Sequence, residues 1–182
     1  ENPNLKGLDK ISPMYEAIRN MQVLDIEYQS FSQGAIMHHT LHPYFLRQYN
    51  NRWFLFGKDE KDDEIMNVAL DRIQAFKLSK IRYKPNTKVD FDFYFKDIVG
   101  VSLPKSEGPS NIIIRVKNSR LPWILTKPIH SSQIELERDD NSTLISLDLM
   151  PNNELEALLL SFGEDVEVLK PKNLRSKLAK KI

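Results

Sequence analysis

The chain has 182 residues, with 26 lysines and arginines against 25 aspartates and glutamates, a formal net charge of +1, and 41% hydrophobic residues. This composition is too apolar and too weakly charged for a disordered chain, and it supplies no global field to steer a polyanion, so any nucleic-acid contact must rest on a local patch. The absence of cysteine excludes a disulfide framework and thiolate chemistry.

A single core stops growing efficiently near about 150 residues, so this length fits one large or two compact domains. The longest apolar runs, such as Ala157 to Leu160, are far too short to span a bilayer, and the first residues carry no charged-then-apolar signal pattern. The protein therefore reads as soluble and cytoplasmic, with no membrane partner. It begins at Glu1 rather than methionine, which points to a piece of a longer polypeptide.

Ser12-Pro13 reads as an N-cap and first-turn proline opening a short helix, with Met14, Ile18 and Met21 on one face. From Val23 the period changes to two, with Leu24, Ile26 and Tyr28 on the apolar side of a strand. A second extended run from Ala35 is interrupted by Pro43, which confines that point to an edge, a bend or a strand start. Asn50-Asn51 predicts a tight hairpin turn into the aromatic strand RWFLFGKD. The polar loop DEKDDE, the strand EIMNVAL, a turn at Leu70 to Ile73 and a last strand AFKLS follow. Five short strands after one helix suggest a small, strongly bent sheet or partly open barrel over residues 8–81.

Residues 82–109 contain prolines and glycines without a clear period and read as a connector with one aromatic docking segment, Phe91 to Phe95. Beyond it come a buried strand IIIRVK, a short helix SRLPWILTK, two strands QIELER and STLISLDLM joined at Asp139-Asp140-Asn141, and a helix capped by Asn152 or Asn153 and ended by Gly163. A strand VEVLK and a basic terminal helix opened by Pro171 complete residues 110–182. The order βαββαβ is that of the ferredoxin-like arrangement, so the fold class is α+β.

Enzyme signatures are absent: there is no G-x-S-x-G, P-loop, G-x-G-x-x-G or H-E-x-x-H, so no catalysis and no cofactor is expected. His38 and His42 share a strand face about 13 Å apart while His39 points the other way, so the three cannot chelate one ion, and His38 and His39 read as exposed positions. The sequon Asn141-Ser142-Thr143 would matter only in a secreted chain. Arg47, Arg52 and Arg72 are interleaved with Tyr44, Tyr49, Trp53 and Phe54. Arginine beside aromatic rings can bind phosphate and stacked bases together. Equally, the aromatics can fill a small core while Arg72 pairs with Asp71 or Glu64. The basic run from Lys170 to Lys181 reads as a solvated helix face.

Three separated motifs, His42-Pro43-Tyr44, Arg52-Trp53-Phe54-Leu55 and Leu70-Asp71-Arg72-Ile73, resemble the signature of WYL-domain proteins, with Trp53-Phe54-Leu55 in place of the Trp-Tyr-Leu triplet. The second half, with IIIRVK, Lys127 to Gln133 and VEVLKP, resembles the C-terminal extension domain that commonly follows them. The resemblance implies an Sm-like five-stranded β-barrel, then a ferredoxin-like domain, in a bacterial transcription regulator whose helix-turn-helix DNA-binding domain lies upstream. It also implies a sensor whose basic and aromatic groove takes a nucleotide or oligonucleotide effector, and a homodimer. Carried over by position, the ligand-binding residues are His42, Tyr44, Trp53, Phe54 and Arg72, with Arg47 beside them. Two positions depart from the family pattern, Met66 and Ala69 standing where arginines are common, and Phe54 lacks the tyrosine hydroxyl. The alternative of another class is a non-catalytic dimerisation or protein-interaction module with a structural aromatic-arginine set.

Overall fold

The computed structural model describes residues 5–31, 34–62, 64–104 and 108–181. Asp63 of the polar loop, Lys105 to Glu107 of the connector and the terminal Ile182 fall outside them. The chain divides into two compact units, Glu1–Phe91 and Asp92–Ile182, so the division falls inside the stretch read as a connector.

In the first unit a 3-10 turn, Leu8–Lys10, runs directly into helix α1, Ile11–Arg19. The helix therefore starts earlier than Ser12-Pro13 suggests, and Ser12 is not its cap. Met14 and Ala17 are buried, with Ile11 and Ile18 packed beside them, because the i, i+3, i+7 spacing brings these side chains to one face. Met21 is not on that face. It lies beyond the helix end with φ 52° and is 63% exposed, so the apolar stripe ends one turn sooner than its sequence suggests.

Five strands follow: β1, Leu24–Gln29; β2, Ile36–Tyr49; β3, Arg52–Asp59; β4, Ile65–Ala69; and β5, Ile73–Leu78. They form an antiparallel sheet in the order β4-β3-β2-β1-β5. The sheet is open, with β4 and β5 as its two edges. One face carries Leu24, Ile26, Leu41, Leu55 and Val68 against Met14 and Ala17 of α1. Asn50 and Asn51, at φ 49° and 61°, make the two-residue turn between Tyr49 and Arg52. Both central residues have positive φ, as a type I′ hairpin requires, and asparagine tolerates this better than most side chains.

Pairing of β2 with β1 stops at Leu41, and the β2–β3 register shifts between Pro43 and Phe45. The shift leaves Tyr44 as the extra residue of a bulge. Pro43, which has no N–H to give a ladder, sits where the strand bends.

The second unit holds β6, Ser110–Lys117; α3, Leu121–Thr126; β7, Ile134–Arg138; β8, Ser142–Leu149; α4, Asn153–Ser161; β9, Val166–Lys170; and α5, Lys172–Ala179. The short helix α2, Phe91–Tyr94, spans the division between the units. The sheet is antiparallel in the order β7-β8-β6-β9. β6 is buried on one face only, through Ile112, Ile114 and Val116, with Arg115 and Lys117 facing water. Asn152 caps α4, its side chain accepting a hydrogen bond from the Leu155 N–H at 2.9 Å. Both units thus combine helices with antiparallel sheets, an α+β organisation. No helix among the described residues is long and apolar enough to cross a membrane.

Candidate ligand site

The six candidate side chains separate into distinct surroundings, and strand alternation explains most of the separation. Trp53 shares a face with Leu55 and packs against the core, whereas Phe54 and Phe56 point to the opposite, outer face. After the bulge at Tyr44, Phe45 and Arg47 also face outward. Arg47 lies directly across from Phe54, and Phe54 lies across from Ala69 on its other side. Burial lowers the pKa of the Arg47 guanidinium.

His42 is fully buried and both ring nitrogens are engaged. Nδ1 accepts from the Lys84 backbone N–H at 3.1 Å, so Nε2 carries the hydrogen and donates to Glu60 Oε2 at 2.6 Å. The Lys84 Nζ donates to the other Glu60 oxygen at 2.6 Å, and the Lys84 carbonyl accepts from the Tyr44 hydroxyl at 2.9 Å. Tyr83 donates its hydroxyl to the Pro43 carbonyl at 3.0 Å, and its ring meets His42 and Tyr44 edge-on. Further along, Phe91 stacks on Phe45 with centroids 4.9 Å apart and meets Phe56 edge-on. Residues 83–91 therefore form a strap across the outer face of β2 and β3, and His42 and Tyr44 are its anchors.

Burial first, then the neighbouring Tyr83 and the Glu60 charge, push the Tyr44 hydroxyl up to about 12. Glu60 is held below the usual carboxylate range, chiefly by the Lys84 hydrogen bond and next by that from His42. A group whose folded pKa is depressed contributes stability that is complete above its unfolded value, near 4.5, and lost as pH falls through the lower folded value. The strap is therefore expected to stay closed at neutral pH and to loosen only in acid as Glu60 protonates, with Glu60→Gln loosening it at neutral pH and removing that acid dependence. Hydrogen exchange of the Lys84 amide, corrected for intrinsic rate, checks this. Opening that already sets in above pH 6 would show that Glu60 does not control it.

Arg72 ends a 3-10 turn, Leu70–Arg72, between β4 and β5. Its guanidinium lies 4.4 Å from the ring centroid of Phe31, which is 63% exposed. The expected pairing of Arg72 with Asp71 or Glu64 is not made among the described residues. Asp71 instead bonds Arg52 Nε at 3.1 Å, because turn geometry aims it back at the start of β3. Arg72 Nε and Asp71 Oδ1 are buried without hydrogen-bond partners among the described residues. A guanidinium over an aromatic face can bind an anion through its terminal N–H groups while its planar part stacks. Sequence reasoning does not find Phe31, Glu60, Tyr83 or Lys84. Lys84 and Tyr83 act across 24 to 42 positions, a separation that leaves no local signal.

The WYL-domain profile matches residues 9–78 and the WCX-domain profile residues 109–182. Residues 9–78 are thus a WYL domain and residues 109–182 a WCX domain. Among solved structures, a CRISPR Cas-related protein shares the fold at a TM-score of 0.55 and 11% identity, over 96% of this chain and 50% of that one. Proteasome accessory factor B/C (PafBC) of Arthrobacter aurescens is 15% identical at a TM-score of 0.40, over 98% of this chain and 26% of that one. No curated protein matches the chain. In this WYL domain Met66 packs against the core and Ala69 is buried opposite Phe54. The two departures therefore leave β4 without a cation on either face of that stretch. His39 is not exposed, as its sequence position suggests, but hydrogen-bonds the buried Asp59 at 2.6 Å.

Proposed function

We propose that this chain is the ligand-sensing regulatory region of a bacterial transcription regulator, working without catalysis in the cytoplasm. A nucleotide or oligonucleotide effector binds the WYL domain and controls DNA binding by a helix-turn-helix segment outside the chain. The observation that carries this reading is the Arg72 guanidinium stacked 4.4 Å over the exposed Phe31 ring. Arg47 and Phe54, directly cross-strand on the outer face, are a second arginine–aromatic pair. His42 and Tyr44 act through the strap rather than by direct contact, and Trp53 supports from the core side. In this mechanism the effector has a higher affinity for one arrangement of the regulator than for the other, as any shift of equilibrium requires.

The same proposal takes residues 8–81 as an Sm-like barrel, supported by a helix followed by five strands in the order β4-β3-β2-β1-β5. It takes 110–182 as a ferredoxin-like domain, supported by a βαββαβ order whose first strand lies between the third and the fourth, with 82–109 connecting the two.

The test is the melting temperature of the chain with dinucleotides and short single-stranded oligonucleotides. At least one should raise it, and Arg72→Ala should weaken that ligand by about 10- to 100-fold, the cost of a hydrogen bond to a charged group. No shift with any of them counts against the reading. A second reading, a dimerisation module, is favoured by edge strand β7, where Ile134 and Leu136 are 59% and 53% exposed. In that case the chain is a homodimer at micromolar concentration, Arg72→Ala leaves the dimer unchanged, and no nucleotide binds.

A further inference from the structure

A different part of the first unit carries four charged side chains around a pocket of about 350 Å³, on the outer face of β1, β2 and β5. Its floor is two rows of cross-strand neighbours. Asp25 lies between Lys77 and Thr40, and Glu27 lies between Ala75 and His38. Ala75 is the small member of its row, and the missing side-chain volume leaves Glu27 facing open space on that side. Thr40 donates its hydroxyl to Asp25 at 2.9 Å, which fixes that carboxylate.

Lys61 reaches the same pocket from the loop after β3. Its backbone is built into place: the Lys61 N–H donates to Asp59 Oδ1 at 2.9 Å, and the Glu60 N–H donates to the Thr40 carbonyl at 2.8 Å. Asp59 is 4% exposed and is bonded in turn to His39, so the pair serves to hold the loop. Among the described residues no ion pair joins Lys61 or Lys77 to Asp25 or Glu27. Two cations and two anions thus line one concavity with no direct ion pair between them among the described residues, and its volume falls at the lower end of ligand pockets.

We infer that this pocket binds a small zwitterion of the α-amino-acid class, its carboxylate at Lys61 and Lys77 and its ammonium group at Glu27 and Asp25. A mononegative ligand would leave Glu27 repelling it, and a simple cation would be repelled by the lysines. Only a molecule with both charges a few bonds apart satisfies both ends.

The experiment uses the 182-residue chain and the proteinogenic L-amino acids, added one at a time, with amide chemical shifts and melting temperature as readouts. At least one amino acid is expected to raise the melting temperature and to perturb amides of residues 25–27, 38–40 and 75–77. Its N-acetyl and methyl ester derivatives, each lacking one charge, should bind about tenfold or more weakly, as should Glu27→Gln and Lys77→Gln with the parent amino acid. Both substituted side chains are exposed, so the unliganded melting temperature should hold. Should either variant be destabilised, the chemical-shift map of the native chain decides instead. Perturbations confined to other residues, no binding at millimolar concentration, or binding unchanged in both folded variants overturns the assignment. Arg72→Ala should leave amino-acid binding intact, so this site and the nucleotide reading fail independently.

Discussion

Gly57→Ala is expected to lower the melting temperature of the first unit more than any other single methyl addition on its sheet. Gly57 is buried in the middle of β3, across from Pro43 on one side and Met66 on the other. A Cβ there would drive into the His42 carbonyl oxygen and lie 2.9 Å from Leu41 Cγ. Overpacking a core costs about 1–3 kcal/mol when side chains can yield. Here the closest atom is backbone, and β2 cannot step aside cheaply, because both His42 ring nitrogens are hydrogen-bonded and Leu41 is fully buried. The cost should therefore reach about 3 kcal/mol, which for a domain of this size is roughly 12–24 °C in melting temperature. Trp53 reports the first unit and Trp123 the second, so fluorescence in a Trp123→Phe background reads the effect without interference. A shift below about 4 °C would show that β2 gives way locally and that its pinning by His42 is not rigid.

The same pinning changes how the family motif should be understood. The His-Pro-Tyr triplet reads in sequence as part of a ligand surface. In the fold its polar atoms are already committed: His42 to Lys84 and Glu60, Pro43 to Tyr83, and Tyr44 to Lys84. An effector could reach these groups only by displacing the strap, which would cost the four hydrogen bonds that Tyr83 and Lys84 make to Pro43, Tyr44, His42 and Glu60, and the Phe45–Phe91 stack together. Arg72 carries no such commitment. Binding at Arg72 therefore needs no strap opening, which is why the Arg72–Phe31 pair rather than His42 bears the proposed recognition.

How much of this is legible in the sequence follows from the range of each interaction. Alternation in Leu24-Asp25-Ile26 is local, and so are the Asn50-Asn51 turn and the Asn152 cap; the elements they imply form where expected, as does the strand at IIIRVK, which is buried on one face rather than throughout. Alternation along β3 also separates Trp53 from Phe54, so their opposite faces follow from strand periodicity alone. The start of α1 departs from expectation because a 3-10 turn feeds it without a capping side chain. The strap is not legible, since its one proline and two aromatics have no period and its partners lie 24 to 46 positions away. The orphaned Arg72 Nε is likewise hidden, because Asp71, its neighbour in sequence, is turned toward Arg52.

The basic terminal helix, which reads as a solvated face, carries the second large expected effect. Glu156 in α4 is 2% exposed, and its two oxygens accept from Lys177 at 2.5 Å and Lys181 at 2.7 Å. Arg175 of the same helix bonds Glu167, so Arg175 and Lys177 of α5 and Lys181 just beyond it are all spent on carboxylates. Burial pushes the Glu156 carboxyl up, but the two lysine bonds outweigh it and hold the group below its usual range. Stability from this cluster is therefore complete above the unfolded carboxylate value and lost as pH falls through the lower folded one. Lys177→Met with Lys181→Met removes the compensation and leaves a buried carboxylate alone. Breaking a buried pair in this way costs about 3–5 kcal/mol, and the half-exposed lysine side chains place this case near about 3. The direction of the pH dependence should also invert. With only burial acting, the folded value rises above the unfolded one, so the double variant should gain stability as pH falls toward the carboxylate range while the native chain loses it. Glu156→Gln added to the double variant should recover most of the loss at neutral pH. Urea unfolding followed by Trp123 between neutral pH and pH 4 measures all three, and a double variant that loses stability in acid in parallel with the native chain would refute the account.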